Sequence, residues 1–282
     1  MIPGPKEAVV VRRARTALTG GEPVRLLLVH GLAGSAALWD RYVERADPGC
    51  EVWTAELPWR GAGVPGWPDR PAEEWIDRAV AALPHHPDVV AGHSFGASAL
   101  LSWLASPRPG AGTAGPGARG LRGAVLVSPF YRADEQRFDW DTLAYYLNDF
   151  DRILADGLRV SSGGRLEESV QRDMALKVRD RIGPYGWMRF FDLYLNTPRL
   201  PVGELRLPVQ LLAGAEDFAS DPAEAAELGR ALPDAHVRVI PGVGHFPMVE
   251  RADAFAEAVN GFLGTVTARP RPDAPLSAME HN

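Results

Sequence analysis

The chain has 282 residues, 46% hydrophobic and 23% charged, and carries a formal net charge of −6. That is enough chain and apolar content for one large domain with a real core, and the acidic balance excludes the basic footprint of a nucleic-acid binder. No apolar stretch reaches the roughly 18–20 residues of a membrane span. The opening Met1-Ile2-Pro3-Gly4-Pro5-Lys6 lacks a secretory pattern, and the lone Cys50 permits no internal disulfide, so a cytoplasmic protein without disulfides is expected.

In chain order, residues 8–16 suggest an opening strand. Further strand patterns follow near 24–30, 50–56, 88–93, 123–128, 208–213 and 236–240, with helical patterns between most of them. This alternation predicts an α/β fold: a mostly parallel sheet with helices on both faces. Functional loops then belong at the carboxyl ends of the strands. Three segments break the rhythm. Pro107 to Gly120 is a Pro/Gly/Ala run that reads as a flexible loop, and residues 267–282 read as a Pro-rich disordered tail in which His281 is a bystander. The third, from about Phe130 to Leu200, shows helical patterns at 141–155, 166–181 and around 187–195.

The most informative stretch is Gly92-His93-Ser94-Phe95-Gly96, between the apolar run Asp88-Val89-Val90-Ala91 and a helix-forming run from Ala97 to Leu104. Glycines two residues either side of a serine at a strand-to-helix junction suit a nucleophile elbow, where a strained serine stands against a close backbone approach. A serine hydroxyl needs a base. His245, in Pro241-Gly242-Val243-Gly244-His245-Phe246-Pro247, follows a strand and is free to reach the elbow. Asp217 follows the strand ending at Gly214 and can hold the imidazole tautomer. Glu216 and Asp221 lie close by, and Asp134, after the preceding strand, is the alternative acid.

These segments, in the order Ser94, Asp217, His245, resemble the α/β-hydrolase fold superfamily over about Val24 to Leu263. Arg25-Leu26-Leu27-Leu28-Val29-His30-Gly31-Leu32 resembles the family's oxyanion strand, which implies the backbone N–H groups of Leu32 and Phe95 as oxyanion donors. Glu56-Leu57-Pro58-Trp59-Arg60-Gly61-Ala62-Gly63 resembles the family's Asp-Leu-Pro-Gly-His-Gly segment, with Glu, Trp and Arg in place of Asp, Gly and His. The family usually opens with a hairpin, of which only one strand is visible here. The resemblance also implies that 130–200 is a helical cap inserted after the sixth family strand, with 1–129 and 201–266 forming the core.

Residues 130–200 hold 12 of the 24 aromatic side chains. Any single ring is better read as cap core, but as a group they predict an apolar or aromatic-lined acyl pocket. Trp140, Tyr145, Tyr146, Trp187, Phe190 and, outside the cap, Phe246 are its expected lining. His30 and His93 are expected to brace their loops, and His85, His86 and His236 to be structural or solvent-facing. The cap arginines Arg132, Arg152, Arg159, Arg165, Arg172, Arg179 and Arg181 read as a solvated helix surface. No metal-ligand spacing occurs.

The expected activity is serine hydrolysis of a carboxylic ester or thioester through an acyl-enzyme on Ser94. It needs no cofactor, acts on a small apolar or aromatic acyl substrate, and involves no nucleic acid or membrane. A type II-like thioesterase serving a carrier protein, an acyltransferase or a lactone-forming cyclase would use the same three residues. A ligand-binding protein without turnover is the alternative from another class. Carboxylate-nucleophile members of the fold are disfavoured, because this chain has Ser94 at the elbow.

Overall fold

Alternation along the central strands decides the architecture. In β2 (Val24–Val29), Leu26 and Leu28 join one buried cluster while Leu27 and Val29 join the other. Both faces of the strand are therefore covered. In β5 (Gly123–Val127), Ala124 and Leu126 likewise face away from Val125 and Val127. A fully buried strand of this kind needs helices on each side of the sheet.

The computed structural model describes residues 9–60, 64–106 and 120–269. Within them lie β1 (Val10–Arg15), β3 (Cys50–Glu56), β4 (Val89–His93), β6 (Val209–Gly214) and β7 (Ala235–Ile240), which complete a seven-stranded sheet in the order β1-β3-β2-β4-β5-β6-β7. β1 pairs antiparallel with β3, and every other pairing is parallel. One cluster packs α2 (Ala72–Ala81) and α3 (Phe95–Ala105) on the sheet; the other packs α1 (Asp40–Val43) and α9 (Ala252–Thr267) on the opposite face. The expected mostly parallel sheet covered on both faces is what the chain forms. Cys50 is buried, and that burial pushes its thiol up to about 12, far from a working nucleophile.

Between β5 and β6 the chain leaves the sheet for α4 (Trp140–Asn148), α5 (Phe150–Ser162) and α6 (Glu168–Leu195). The helical patterns expected at 166–181 and 187–195 are the two helical stretches of α6, separated at Gly183, whose φ of 67° and ψ of 171° lie outside the helical region just before Pro184. Proline removes an amide donor and glycine tolerates the positive φ, so the pair ends one helical stretch and starts the next. The pattern expected over 141–155 is split at Asp149 into α4 and α5. α7 (Pro222–Ala231) links β6 to β7, and α8 (Pro247–Glu250) follows the His245 loop.

Thr267, expected to begin a disordered tail, is instead the last residue of α9. Residues 270–282, with His281, and most of the expected Pro107–Gly120 loop lie outside the described residues. Gly61, Ala62 and Gly63 lie outside them too. Among the described residues no helix is long and apolar enough to cross a membrane.

Candidate active site

Ser94 sits between β4 and α3 with φ 55° and ψ −124°. Such a backbone costs of order 1–3 kcal/mol for a residue with a side chain, so the surroundings must hold it there. They do so by close approach. A Cβ on Gly92 would stand 2.7 Å from the carbonyl oxygen of Gly96, and one on Gly96 would run into the carbonyl of His30. Both glycines of the elbow are thus required by backbone contact, and Gly96 lets the chain at His30 lie against the helix start. Among the described residues, Ala33 and Ser128, with φ of 60° and 48°, are the other positive-φ residues that are not glycine. Both follow carboxyl ends of central strands, beside the elbow.

Three side chains from three loops converge. His245 Nε2 is 3.0 Å from Ser94 Oγ, and His245 Nδ1 is 2.8 Å from Asp217 Oδ2 and 3.0 Å from Oδ1. A carboxylate only accepts, so Nδ1 carries the proton and Nε2 offers its lone pair to the serine O–H. His245 and Asp217 are 1% and 5% exposed. Burial works to raise the Asp217 pKa, but the His245 charge and hydrogen bond, the Ser220 N–H and the Ser128 hydroxyl together hold it below the ordinary carboxylate value. Asp217 Oδ1 also accepts from the N–H groups of Ala219 and Ser220, both at 2.9 Å. Asp134, the alternative acid, is exposed and accepts from Gln136 N–H instead. The structure brings Asp217 to His245, and not Asp134.

The His245 backbone is gripped on three sides. Glu250 accepts from Gly244 N–H through Oε2 at 3.1 Å and from Phe246 N–H through Oε1 at 3.0 Å. His93 Nε2 donates to the His245 carbonyl at 2.8 Å, which leaves Nδ1 as a buried lone pair without a partner. Burial first, and then the His245 charge, push the His93 pKa down to about 3, so this ring is neutral. Sequence reasoning missed Glu250. Its signal was Pro247 at a helix start with a glutamate one turn on, a pattern in which the side chain reaches back to uncapped amides.

The loop from His30 to Ala33 is braced by the segment that departs from the family pattern. His30 donates from Nδ1 to the Gly31 carbonyl (2.8 Å) and accepts at Nε2 from Leu57 N–H (3.0 Å), and burial lowers its pKa. Trp59 donates from Nε1 to the His30 carbonyl at 3.1 Å, while Ala33 N–H donates to the Trp59 carbonyl at 2.8 Å. The tryptophan thus ties down both ends of the loop carrying Leu32. Glu56 accepts from Ala36 N–H at 2.6 Å. Phe95 is the first residue of α3, where N–H groups have no intrahelical acceptor.

A cavity of about 720 Å³ opens over Ser94 and His245. Of the rings expected to line a pocket, Trp187, Phe190 and Phe246 lie on its wall, and Leu32 and Phe95 border it as well. Trp140, Tyr145 and Tyr146 do not. Trp140 is a correction: it stands 84% exposed at the first turn of α4, pointing away from the core. Tyr145 and Tyr146 are corrections too, because their hydroxyls donate to the carbonyls of Phe218 and Ala219 instead, each at 2.8 Å. The lining that the sequence did not reveal is one face of α5, Ile153, Leu154, Gly157 and Leu158, with Phe150 at its start. Its helical spacing was the available signal. Phe150 stacks on Trp187, and Trp187 on Phe190, to make the aromatic wall.

Arg132 is also corrected, since it is no surface charge. It is half-buried and donates from Nε to Tyr194 Oη at 2.9 Å and to Glu224 at 3.3 Å. Arg152 lies over the Phe218 ring at 4.6 Å, while Arg159, Arg172 and Arg179 pair with carboxylates on their own helices. His85, His86 and His236 are exposed. Among the described residues no group of three His, Cys, Asp or Glu side chains could hold a metal ion.

The model of the alpha/beta hydrolase family matches residues 26–258. The chain is similar to polyketide synthase ThaQ of Burkholderia thailandensis, 27% identical over 277 residues that cover 93% of this chain but 12% of the synthase. It is also similar to a pimeloyl-[acyl-carrier protein] methyl ester esterase of Aromatoleum aromaticum, 28% identical over 248 residues, 81% of this chain and 93% of the esterase. Among solved structures, the enol-lactonase from Burkholderia xenovorans LB400 superposes with a TM-score of 0.65 at 18% identity, covering 91% of this chain and 96% of the lactonase. That likeness is one of fold.

Proposed function

The chain belongs to the alpha/beta hydrolase family, and on that footing we propose that it is a serine hydrolase cleaving a carboxylic ester or thioester through an acyl-enzyme on Ser94. The observation that carries this reading is the buried relay from Asp217 through His245 to Ser94, with contacts of 2.8 and 3.0 Å. His245 Nε2 takes the Ser94 proton as Oγ attacks the acyl carbonyl. The N–H groups of Leu32 and Phe95 receive the developing oxyanion, each donor worth on the order of 10²–10³ in rate. His245 then protonates the leaving group, and in the second half-reaction it draws a proton from water attacking the acyl-Ser94 carbonyl. Asp217, held ionised, stabilises the imidazolium in both halves. The acyl group lies along Phe150, Leu154, Trp187 and Phe190, which favours an apolar chain.

A second reading, delivery of the acyl group on a carrier protein, is favoured by one relative being a polyketide synthase and another an esterase of an acyl-carrier-protein ester. Turnover of matched acyl p-nitrophenyl esters and acyl-pantetheine thioesters, followed with intact-mass detection of the acyl-enzyme, tests both. Wild type is expected to release product and Ser94→Ala to form neither adduct nor product. Equal turnover by Ser94→Ala would overturn the serine mechanism. An adduct that water does not clear would replace hydrolysis by acyl transfer or cyclisation.

A further inference from the structure

The residues that turn Asp217 toward His245 extend beyond the sheet. The Asp217 carboxylate accepts two backbone N–H groups, from Ala219 and from Ser220. Each N–H belongs to a peptide unit whose carbonyl lies on the preceding residue: Phe218 for the first, Ala219 for the second. Those two carbonyls are the acceptors for Tyr145 Oη and Tyr146 Oη, both at 2.8 Å. Consecutive tyrosines of α4 thus hold, from outside, the same two peptide planes that hold the carboxylate from inside.

We propose that Tyr145 and Tyr146 are positioning residues for the reaction at Ser94, orienting Asp217 through the two peptide units between Phe218 and Ser220. This rests on the serine-hydrolase reading above. A trans peptide is planar, with its C=O and N–H pointing opposite ways, so fixing the carbonyl direction fixes the donor direction. A hydrogen bond accepted by the carbonyl also polarises the N–H of the same unit and strengthens its bond to the carboxylate. The rest of the loop is held without the tyrosines: Ser220 Oγ donates to the Pro129 carbonyl at 2.8 Å, and Arg152 of α5 covers the Phe218 ring. The loop can therefore survive loss of a phenol while its two N–H groups lose their aim. Burial raises both phenol pKa values, so the hydroxyls stay donors. A buried phenol must find some acceptor; the choice of these two carbonyls makes the segment between β5 and β6 part of the acid's support as well as a wall of the acyl cavity.

The test compares Tyr145→Phe, Tyr146→Phe and the double variant with wild type on p-nitrophenyl butanoate. Each substitution is then repeated in an Asp217→Ala background, whose residual rate remains measurable because oxyanion and binding contributions persist. Each hydroxyl removed is expected to lower kcat roughly three- to tenfold, the range of one hydrogen bond, with KM within about twofold. On Asp217→Ala the same substitutions are expected to cost nothing further, because their path to the reaction is gone.

The proposal is overturned if the double variant keeps wild-type kcat, or if the loss falls in KM. It is equally overturned if the loss recurs in full on Asp217→Ala, which, with a lowered thermal midpoint, marks a merely structural role. Ser94→Ala separates the two levels. If Ser94→Ala is inactive while the tyrosine variants are unimpaired, only the positioning role fails; if Ser94→Ala turns over, the serine reading fails and takes the positioning role with it.

Discussion

Acid should unfold this protein in part through His93, and the size of the effect follows from its surroundings. The ring is 2% exposed and its Nε2–H is committed to the His245 carbonyl. Its pKa is about 3 in the folded chain, against 6.5 as the ordinary value. The folded pKa is the lower of the two, so the stability linked to His93 is complete above about pH 6.5 and is lost progressively as pH falls toward about 3. Each pH unit in that window removes about 1.4 kcal/mol, and the whole interval of order 4–5 kcal/mol, a large share of a typical folding free energy. His30, with its lowered pKa, acts in the same direction, while the raised pKa of Glu224 opposes it. A difference measurement removes both. His93→Gln keeps an N–H near the His245 carbonyl and does not titrate. Urea unfolding of wild type and His93→Gln at several values between about pH 6 and pH 4 should give curves that converge toward acid, with the wild type losing about 2–3 kcal/mol more across the interval. Parallel curves would refute the reasoning, because the buried ring would then be taking up its proton in the folded chain as readily as in the unfolded one.

Two more outcomes can be checked in the same assays. Glu250→Ala frees the amides on both sides of His245 and should lower kcat about tenfold with little change in KM, since a small misplacement of the base is costly; Glu250→Gln, which keeps one acceptor, should lose less, and an unchanged kcat in Glu250→Ala would show that His245 needs no such clamp. Gly157→Ala places a Cβ 3.0 Å from the tip of the Phe246 ring, which must give way into the cavity. Its KM should rise several-fold for p-nitrophenyl octanoate and hardly at all for the butanoate, at about 1–3 kcal/mol of overpacking, and equal shifts for the two esters would refute the placement of the acyl chain along α5.

How legible each part was depended on the range of the interactions behind it. The strands announced themselves because a strand buried on both faces must be apolar throughout, as Leu26-Leu27-Leu28-Val29 is. The elbow announced itself because backbone contact forbids a Cβ at Gly92 and Gly96. Asp217 and His245 were visible as loop residues at strand ends. The choice between Asp217 and Asp134 was not visible, because it turns on which loop reaches the imidazole, and only the neighbouring order of β5, β6 and β7 decides that.

The segment between β5 and β6 was read least well, for a physical reason. An aromatic residue on a helix satisfies the same pattern whether it faces a cavity, a core or solvent. Trp140, Tyr146 and Trp187 look alike in the chain, yet one is exposed, one holds a carbonyl and one lines the cavity over Ser94. Glu250 and the two tyrosines act on backbone amides and carbonyls, which every residue carries, so no residue type marks their partners. By itself the sequence determined the sheet, the strained serine and the chemical kinds of its partners, since local backbone sterics and apolar periodicity are written residue by residue. Only the tertiary structure decided which carboxylate meets the histidine, which rings face the cavity and which side chains hold the loops still, because those depend on distances between segments far apart in the chain.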